Sequence, residues 1–252
     1  MMSSSLLMLA VVPVVVLLVY IYRRDPVEKE PGRLLVQLLI WGVVAICPVI
    51  ILETAGTYLL QYWPYEGLSQ RVLMYFLVVA LVEEGCKFFF LRWRTWKSPA
   101  FDYAFDGIVY AVFVSLGFAL AENVGYVFEY GFNTAIVRAF TAIPGHCVFA
   151  VFMGYFYARA AKARVDRDRG KVRSNTFLAI FIPILLHGTY DVLASIEDEV
   201  TLIVFFVFLL VIVSVGAVLV RKEAREARRL FAIVAPETPQ VPAGPTFPTD
   251  VM

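Results

Sequence analysis

The chain has 252 residues, 60% of them hydrophobic and 17% charged, and a mean hydropathy of +0.75. Soluble globular chains carry about 45–50% apolar and about 25% charged residues. The composition therefore excludes an ordinary soluble domain, a disordered chain and a nucleic-acid binder with a basic face, and it implies a polytopic membrane protein. The 22 basic and 21 acidic residues nearly cancel, so the positions of the charges carry the information.

A spanning helix needs about 20 mostly apolar residues. Seven segments qualify, over residues 6–22, 34–60, 72–91, 106–130, 134–160, 176–195 and 200–220. The expected fold is all-α, a transmembrane bundle of about seven spans. The first segment has no basic residue ahead of it, is followed by Arg23 and Arg24, and shows no clear small-residue cleavage site. It reads as an anchor and not as a signal peptide. The second exceeds what a bilayer requires, so it tilts or ends near Gly56. Four connections are basic, around 23–33, 92–97, 162–173 and 221–229, and they alternate with connections holding only Arg71, Arg138 or the acidic run Glu197, Asp198 and Glu199. Under the positive-inside rule this places the N-terminus outside and the C-terminus in the cytoplasm. The 162–173 loop reads mainly as a topology signal. After Leu230, five prolines in a short tail (Pro236, Pro239, Pro242, Pro245 and Pro248) predict a disordered cytoplasmic segment over 231–252. The membrane domain is then 1–230, with its core over 72–195. Cys47, Cys86 and Cys147 lie in apolar runs and read as buried free thiols, not as a disulfide framework.

Ionisable side chains are costly in hydrocarbon and mark function by default. The third span carries Glu83, Glu84 and Lys87, the fourth Glu122 beside Asn123, the fifth His146, and the sixth His187 and Asp191. The two histidines are the only ones in the chain, and both fall mid-span. At a rise of about 1.5 Å per residue, Glu83, Glu122, His146 and His187 lie roughly 17, 12, 18 and 14 Å below the outer helix ends. Four helices thus offer carboxylates and imidazoles to one slab of membrane. Lys87 can pair with Glu83 at four residues' separation or with Glu84 at three. Asp191, four after His187, can accept a hydrogen from one ring nitrogen and leave the other for a metal or substrate. Pro183 and Pro144 predict kinks just ahead of His187 and His146, and kinks beside polar residues suggest a water-filled cavity. Glu53, in the second span, has no identifiable partner and reads as structural or interfacial. The fourth span repeats small residues, Gly107, Ala111, Ser115 and Ala119 in one row and Gly117, Ala121 and Gly125 in another. Such rows let backbones approach closely in lipid, so this helix is expected at the centre, gripped on two sides.

Glu83-Glu84-Gly85-Cys86-Lys87 resembles the Glu-Glu-x-x-Lys motif of the PrsW intramembrane proteases. Phe118 with Glu122-Asn123 resembles their Phe-x-x-x-Glu-Asn motif, His146 with Gly154 their third motif, and His187 with Asp191 their His-x-x-x-Asp motif. Each motif is weak singly; in this order, each on its own span, they are specific. The resemblance covers roughly residues 72–194. It implies a peptidase with its active site inside a helical bundle, related to the type II CAAX prenyl endopeptidases, that cleaves a membrane-protein substrate such as a single-span anti-sigma factor at its outer side. The prenyl endopeptidases carry His where this chain has Glu122, a departure that makes a metal site easier to build. It also implies an integral multi-pass protein of a prokaryotic cell membrane, with the lipid bilayer as its surroundings and no nucleic-acid partner.

Peptide hydrolysis needs an activated water, a group that polarises the carbonyl and a proton donor for the leaving amine. Glu83 is expected to be the general base, with Glu84 as orienting partner or second candidate. Glu122, His146 and His187 are expected metal ligands, with zinc the metal and a fourth position open for water. Asp191 stands behind His187, and Asn123 is a donor to the oxyanion. A metal-free scheme, with the histidines stabilising the oxyanion, remains open, as do a proton-coupled transporter and a non-catalytic scaffold of related fold.

Overall fold

The computed structural model describes residues 2–25, 27, 29–64 and 66–234. The order of elements is α1 (Met2–Arg24), α2 (Gly32–Val44), α3 (Ile46–Leu60), α4 (Leu68–Leu73), a π-helical segment (Met74–Ala80), α5 (Leu81–Thr95), α6 (Ala104–Tyr130), α7 (Phe132–Phe140), α8 (Ala142–Val165), α9 (Arg169–Ala194) and α10 (Glu199–Val234). Because α2 runs into α3, α4 through the π segment into α5, and α7 into α8, the described residues form seven helical columns. Six are long and apolar enough to cross a membrane. The other, from α4 to α5, is the column whose apolar run is interrupted by Glu83, Glu84, Lys87, Arg92 and Arg94.

The interruptions have local causes. Proline lacks an N–H and its ring crowds the carbonyl four residues back. Pro48 accordingly coincides with the break at Ala45 between α2 and α3, and Pro144 with the break at Thr141 between α7 and α8. The kink expected ahead of His146 is therefore present as a break, and the expected fifth span divides into the short α7 and the long α8. Pro183 behaves differently: α9 runs unbroken through it. The second column continues past Gly56 to Leu60.

Helix α6 sits at the centre. Most of its length is buried, against α8 on one side and α2 and α1 on the other. The two small-residue rows explain how. A Cβ on Gly154 would lie 2.3 Å from the Gly107 carbonyl oxygen, and one on Gly117 would lie 2.2 Å from the Leu39 carbonyl oxygen. The backbones of α6, α8 and α2 thus touch where only hydrogen fits. Its first turn is held by Asp106, whose carboxylate accepts from the Tyr103 and Asp102 N–H groups at 2.7 and 3.1 Å.

All three cysteines are free, but only Cys147 is buried; Cys86 is half-buried and Cys47 exposed. Apolar runs in a membrane protein face lipid as well as core, so burial does not follow from hydropathy alone. Helix α10 continues to Val234, four residues beyond the expected end of the membrane domain. The remainder of the expected tail, from residue 235, lies outside the described residues.

Candidate active site

The π-helical segment ends three residues before Glu83. Each residue a π turn takes up beyond an α turn rotates the following face by about 100°, so this segment sets the direction in which α5 points its polar residues. Phe76 within it lies against α9 at Gly188, where a Cβ would be 2.6 Å from the Phe76 ring. That contact brings His187 beside α5.

Lys87 is fully buried at the hub. Its Nζ donates to Glu83 Oε2 at 2.9 Å and Glu84 Oε1 at 2.8 Å, lies 3.2 Å from His146 Nδ1, and sits 4.1 Å above the Phe118 ring. The alternative pairings of Lys87 are both made, because residues three and four back on a helix flank the same position. His187 places Nδ1 3.0 Å from Glu84 Oε1 and 3.9 Å from Glu83 Oε2. Its Nε2 is 3.4 Å from Asp191 Oδ2, an ion-pair separation without hydrogen-bond alignment. His146 turns Nε2 to Glu122 Oε2 at 2.9 Å. The two imidazoles are therefore arranged alike, each with Nε2 toward an outer carboxylate and Nδ1 toward the Glu84–Lys87 hub. Their centroids are 5.2 Å apart at 84°. Phe149 stacks on His187, and Ser115 Oγ donates to the His146 carbonyl at 3.0 Å.

Glu122 and Asn123 are placed by a residue that the sequence pattern suggested only as a topology marker. Arg138 of α7 donates to Glu122 Oε2 at 2.8 Å and to Asn123 Oδ1 at 2.9 Å, with its guanidinium 4.0 Å over Tyr126. Asn123 Nδ2 donates to the Ala10 carbonyl of α1 at 3.1 Å. Asn123 is thus committed at both ends to joining α1, α6 and α7. The one signal available for Arg138 was its position as a lone basic residue near mid-chain apolar sequence. Glu53 leaves Oε1 buried and without a hydrogen bond, and the charges acting on it are those of Glu83, Glu122, His187 and Lys87.

Glu83, Glu84, His146 and His187 offer donor atoms that all lie within 4.8 Å of one another, and all four residues are buried. The expected ligand trio is regrouped: the two histidines stand with the α5 glutamates, and Glu122 stands behind His146 as Asp191 stands behind His187. Two features fit this donor set to a cation. Glu84 Oε2 is buried with no partner, and a buried unsatisfied polar atom costs about 1–3 kcal/mol, more when charged. The carboxylates Glu83, Glu84, Glu122 and Asp191 also outnumber the cations Lys87 and Arg138 in a low-dielectric interior. Mixed imidazole and carboxylate donors suit zinc and its neighbours.

A bundle of membrane helices closed around such a donor group has the layout of an intramembrane metallohydrolase. A family model described as PrsW family intramembrane metalloprotease matches residues 30–218, and the chain belongs to that family. The match reaches beyond the four motifs into α2, α3 and α10. Protease PrsW of Clostridioides difficile (strain 630) is 34% identical over 215 residues, 84% of this chain and 88% of the relative. Protease PrsW of Geobacillus kaustophilus (strain HTA426) is 35% identical over 196 residues, 77% of this chain and 82% of the relative. That of Bacillus subtilis (strain 168) is 34% identical over 201 residues, 79% of this chain and 88% of the relative. No solved structure matches the chain. The protein is an integral multi-pass membrane peptidase of a prokaryote.

Proposed function

We propose that Glu83 is the general base of this peptidase and that Glu84, His146 and His187 hold a zinc ion, with Glu122 and Asp191 orienting the two imidazoles. The observation that carries the reading is the matched setting of the rings, each Nε2 facing a carboxylate (bonded to Glu122 for His146, at ion-pair distance from Asp191 for His187) and each Nδ1 facing the hub. A carboxylate behind a histidine sets its tautomer and ring direction and raises its basicity. Glu84 is the better ligand of the pair because it is the more enclosed and has the unpartnered oxygen; Glu83 keeps slight exposure, which a base that must meet water needs.

Bound zinc would supply Lewis acidity at the scissile carbonyl and a more acidic water. Glu83 takes a proton from the attacking water as its oxygen bonds to the carbonyl carbon. The same proton passes to the amide nitrogen as the C–N bond breaks, leaving a carboxylic acid and an amine, and the acid's remaining proton then passes to the amine to give carboxylate and ammonium. Lys87 bonds Glu83 and adds positive charge where the oxyanion develops. Asn123 and Arg138 act as positioning residues, fixing Glu122 and through it His146. The substrate is a membrane protein, of the single-span anti-sigma-factor kind that the family resemblance implies. The N-terminus lies outside and the C-terminus in the cytoplasm, supported by the alternation of basic connections.

Metal content of the full chain purified in detergent, measured by mass spectrometry after removal of adventitious ions, tests the metal. About one zinc per chain is expected in wild type and none in His187→Ala with helicity unchanged. An active wild type without metal overturns the zinc assignment. Amine labelling of new N-termini in membranes carrying wild type or Glu83→Gln tests the base. New termini present only with wild type support it; equal termini from both remove it.

A further inference from the structure

We infer that the face of α5 turned away from the active site seats an anionic phospholipid. A groove of about 1200 Å³ lies between the start of α2 and the end of α5, at the end of the bundle that carries basic connections. Arg33 enters it from α2, and Arg92, Arg94 and Lys97 from α5 and the turn beyond. No Asp or Glu is among the described residues that line it. None of the four cations makes a salt bridge among the described residues; Arg94 instead bonds the neutral Gln37 side chain. The Arg92 guanidinium lies 4.1 Å from the centre of the Trp96 ring, with Nη1 buried and no hydrogen-bond partner. Trp93, 59% exposed, lines the same groove. Tryptophan concentrates at the headgroup level of bilayers, and basic pockets between membrane helices recognise anionic headgroups.

The groove does not stop at the charges. Gly85 and Phe89 line it and also line a second groove of about 480 Å³ along α3 and α5, walled by Leu52, Leu81, Val82 and Phe90. A Cβ on Gly85 would meet nothing within 4 Å, so the junction is open. An anionic head continuous with an apolar run leading away from it is the form of a glycerophospholipid such as phosphatidylglycerol, with the head among the arginines and an acyl chain along Phe89. Such a lipid would brace α5 from outside, opposite Glu83, Glu84 and Lys87.

The test is titration of the delipidated full chain in neutral detergent with dioleoylphosphatidylglycerol or dioleoylphosphatidylcholine, read by native mass spectrometry and by the unfolding midpoint. The anionic lipid is expected to be retained and to raise the midpoint saturably, and the zwitterionic lipid to do neither. Each basic side chain near an anionic surface contributes about five-fold in affinity. Arg33→Gln with Lys97→Gln, both exposed, should therefore weaken binding about 25-fold, whereas Arg169→Gln with Arg173→Gln should not. Gly85→Leu, which fills the junction without removing charge, should also weaken it. Equal effects of the two lipids, undiminished binding in both groove variants, or the same gain from inorganic phosphate would overturn the proposal. So would a midpoint that follows protein concentration instead of lipid, which would identify a second copy as the occupant.

Discussion

Replacing Lys87 by Met tests whether Lys87 is the electrostatic partner that holds the α5 glutamates in place. The ammonium is 0% exposed and makes two charged hydrogen bonds at 2.9 and 2.8 Å, with an aromatic face 4.1 Å below it. Two such bonds are worth about 1.5–3 kcal/mol each, and a desolvated cation–π contact about 2 kcal/mol. Against these stands the desolvation of the ammonium, which the substitution relieves. Breaking one side of a buried ion pair therefore costs about 3–5 kcal/mol net. For a chain of this size that lowers the unfolding midpoint by roughly 10 °C. Scanning fluorimetry in lipid nanodiscs, using the four tryptophans, reads it directly. Adding Glu84→Gln to Lys87→Met should restore part of the loss, because the second change removes the charge the first one stranded. A drop under about 3 °C for the single variant, or strict additivity in the double, would refute the view that Lys87 neutralises the hub.

Asp191→Asn and Glu122→Gln should each weaken metal affinity about 10- to 100-fold while leaving the fold intact; competition with a chelating dye measures this, and unchanged affinity would remove both from their orienting roles. Gly154→Ala should destabilise by about 1–3 kcal/mol, since its Cβ meets the α6 backbone at 2.3 and 2.5 Å. Gly125→Ala, with nothing within 4 Å, should instead be neutral or stabilise by up to about 1 kcal/mol; matching midpoints for the two would contradict the close approach of α6 and α8. Burial pushes the Glu30 carboxyl up to about 7, against the lowering effect of its bond from Tyr110. A folded-state value above the unfolded value of 4.5 means that this group's contribution is full below that pH and is lost as pH rises toward 7. Glu30→Gln should therefore gain stability relative to wild type between those limits, and a difference flat with pH would count against it.

The fold class was legible because a bilayer imposes a length and a polarity on each span. The central place of α6 was legible because small residues four apart mark a helix face that approaches another backbone. Lys87 contacting both glutamates, and Asp191 beside His187, follow from helical geometry within one element. Other parts of the site could not be read in this way. The π-helical segment has no compositional mark, yet it sets the direction of α5. Glu122 was expected beside the histidines because its depth matched theirs; its bond from Arg138, sixteen residues away on a separate short helix, to the same Oε2 that faces His146 had no mark in the pattern. The bond from Asn123 Nδ2 to the carbonyl of Ala10, 113 residues distant, likewise had no mark in the pattern.

Local periodicity thus sufficed to tell which segments form long apolar helices and which neighbours three or four positions apart share a face. It said nothing about how each helix is rotated about its own axis relative to the others. That rotation is set by backbone contacts such as Gly154 on Gly107 and by bonds across long separations, 59 residues from Lys87 to His146 and 103 from Glu84 to His187. Which nitrogen of each imidazole faces the hub, which carboxylate is left with an unpartnered oxygen, and where the cationic groove opens are all consequences of those rotations, so they exist only once the bundle has closed.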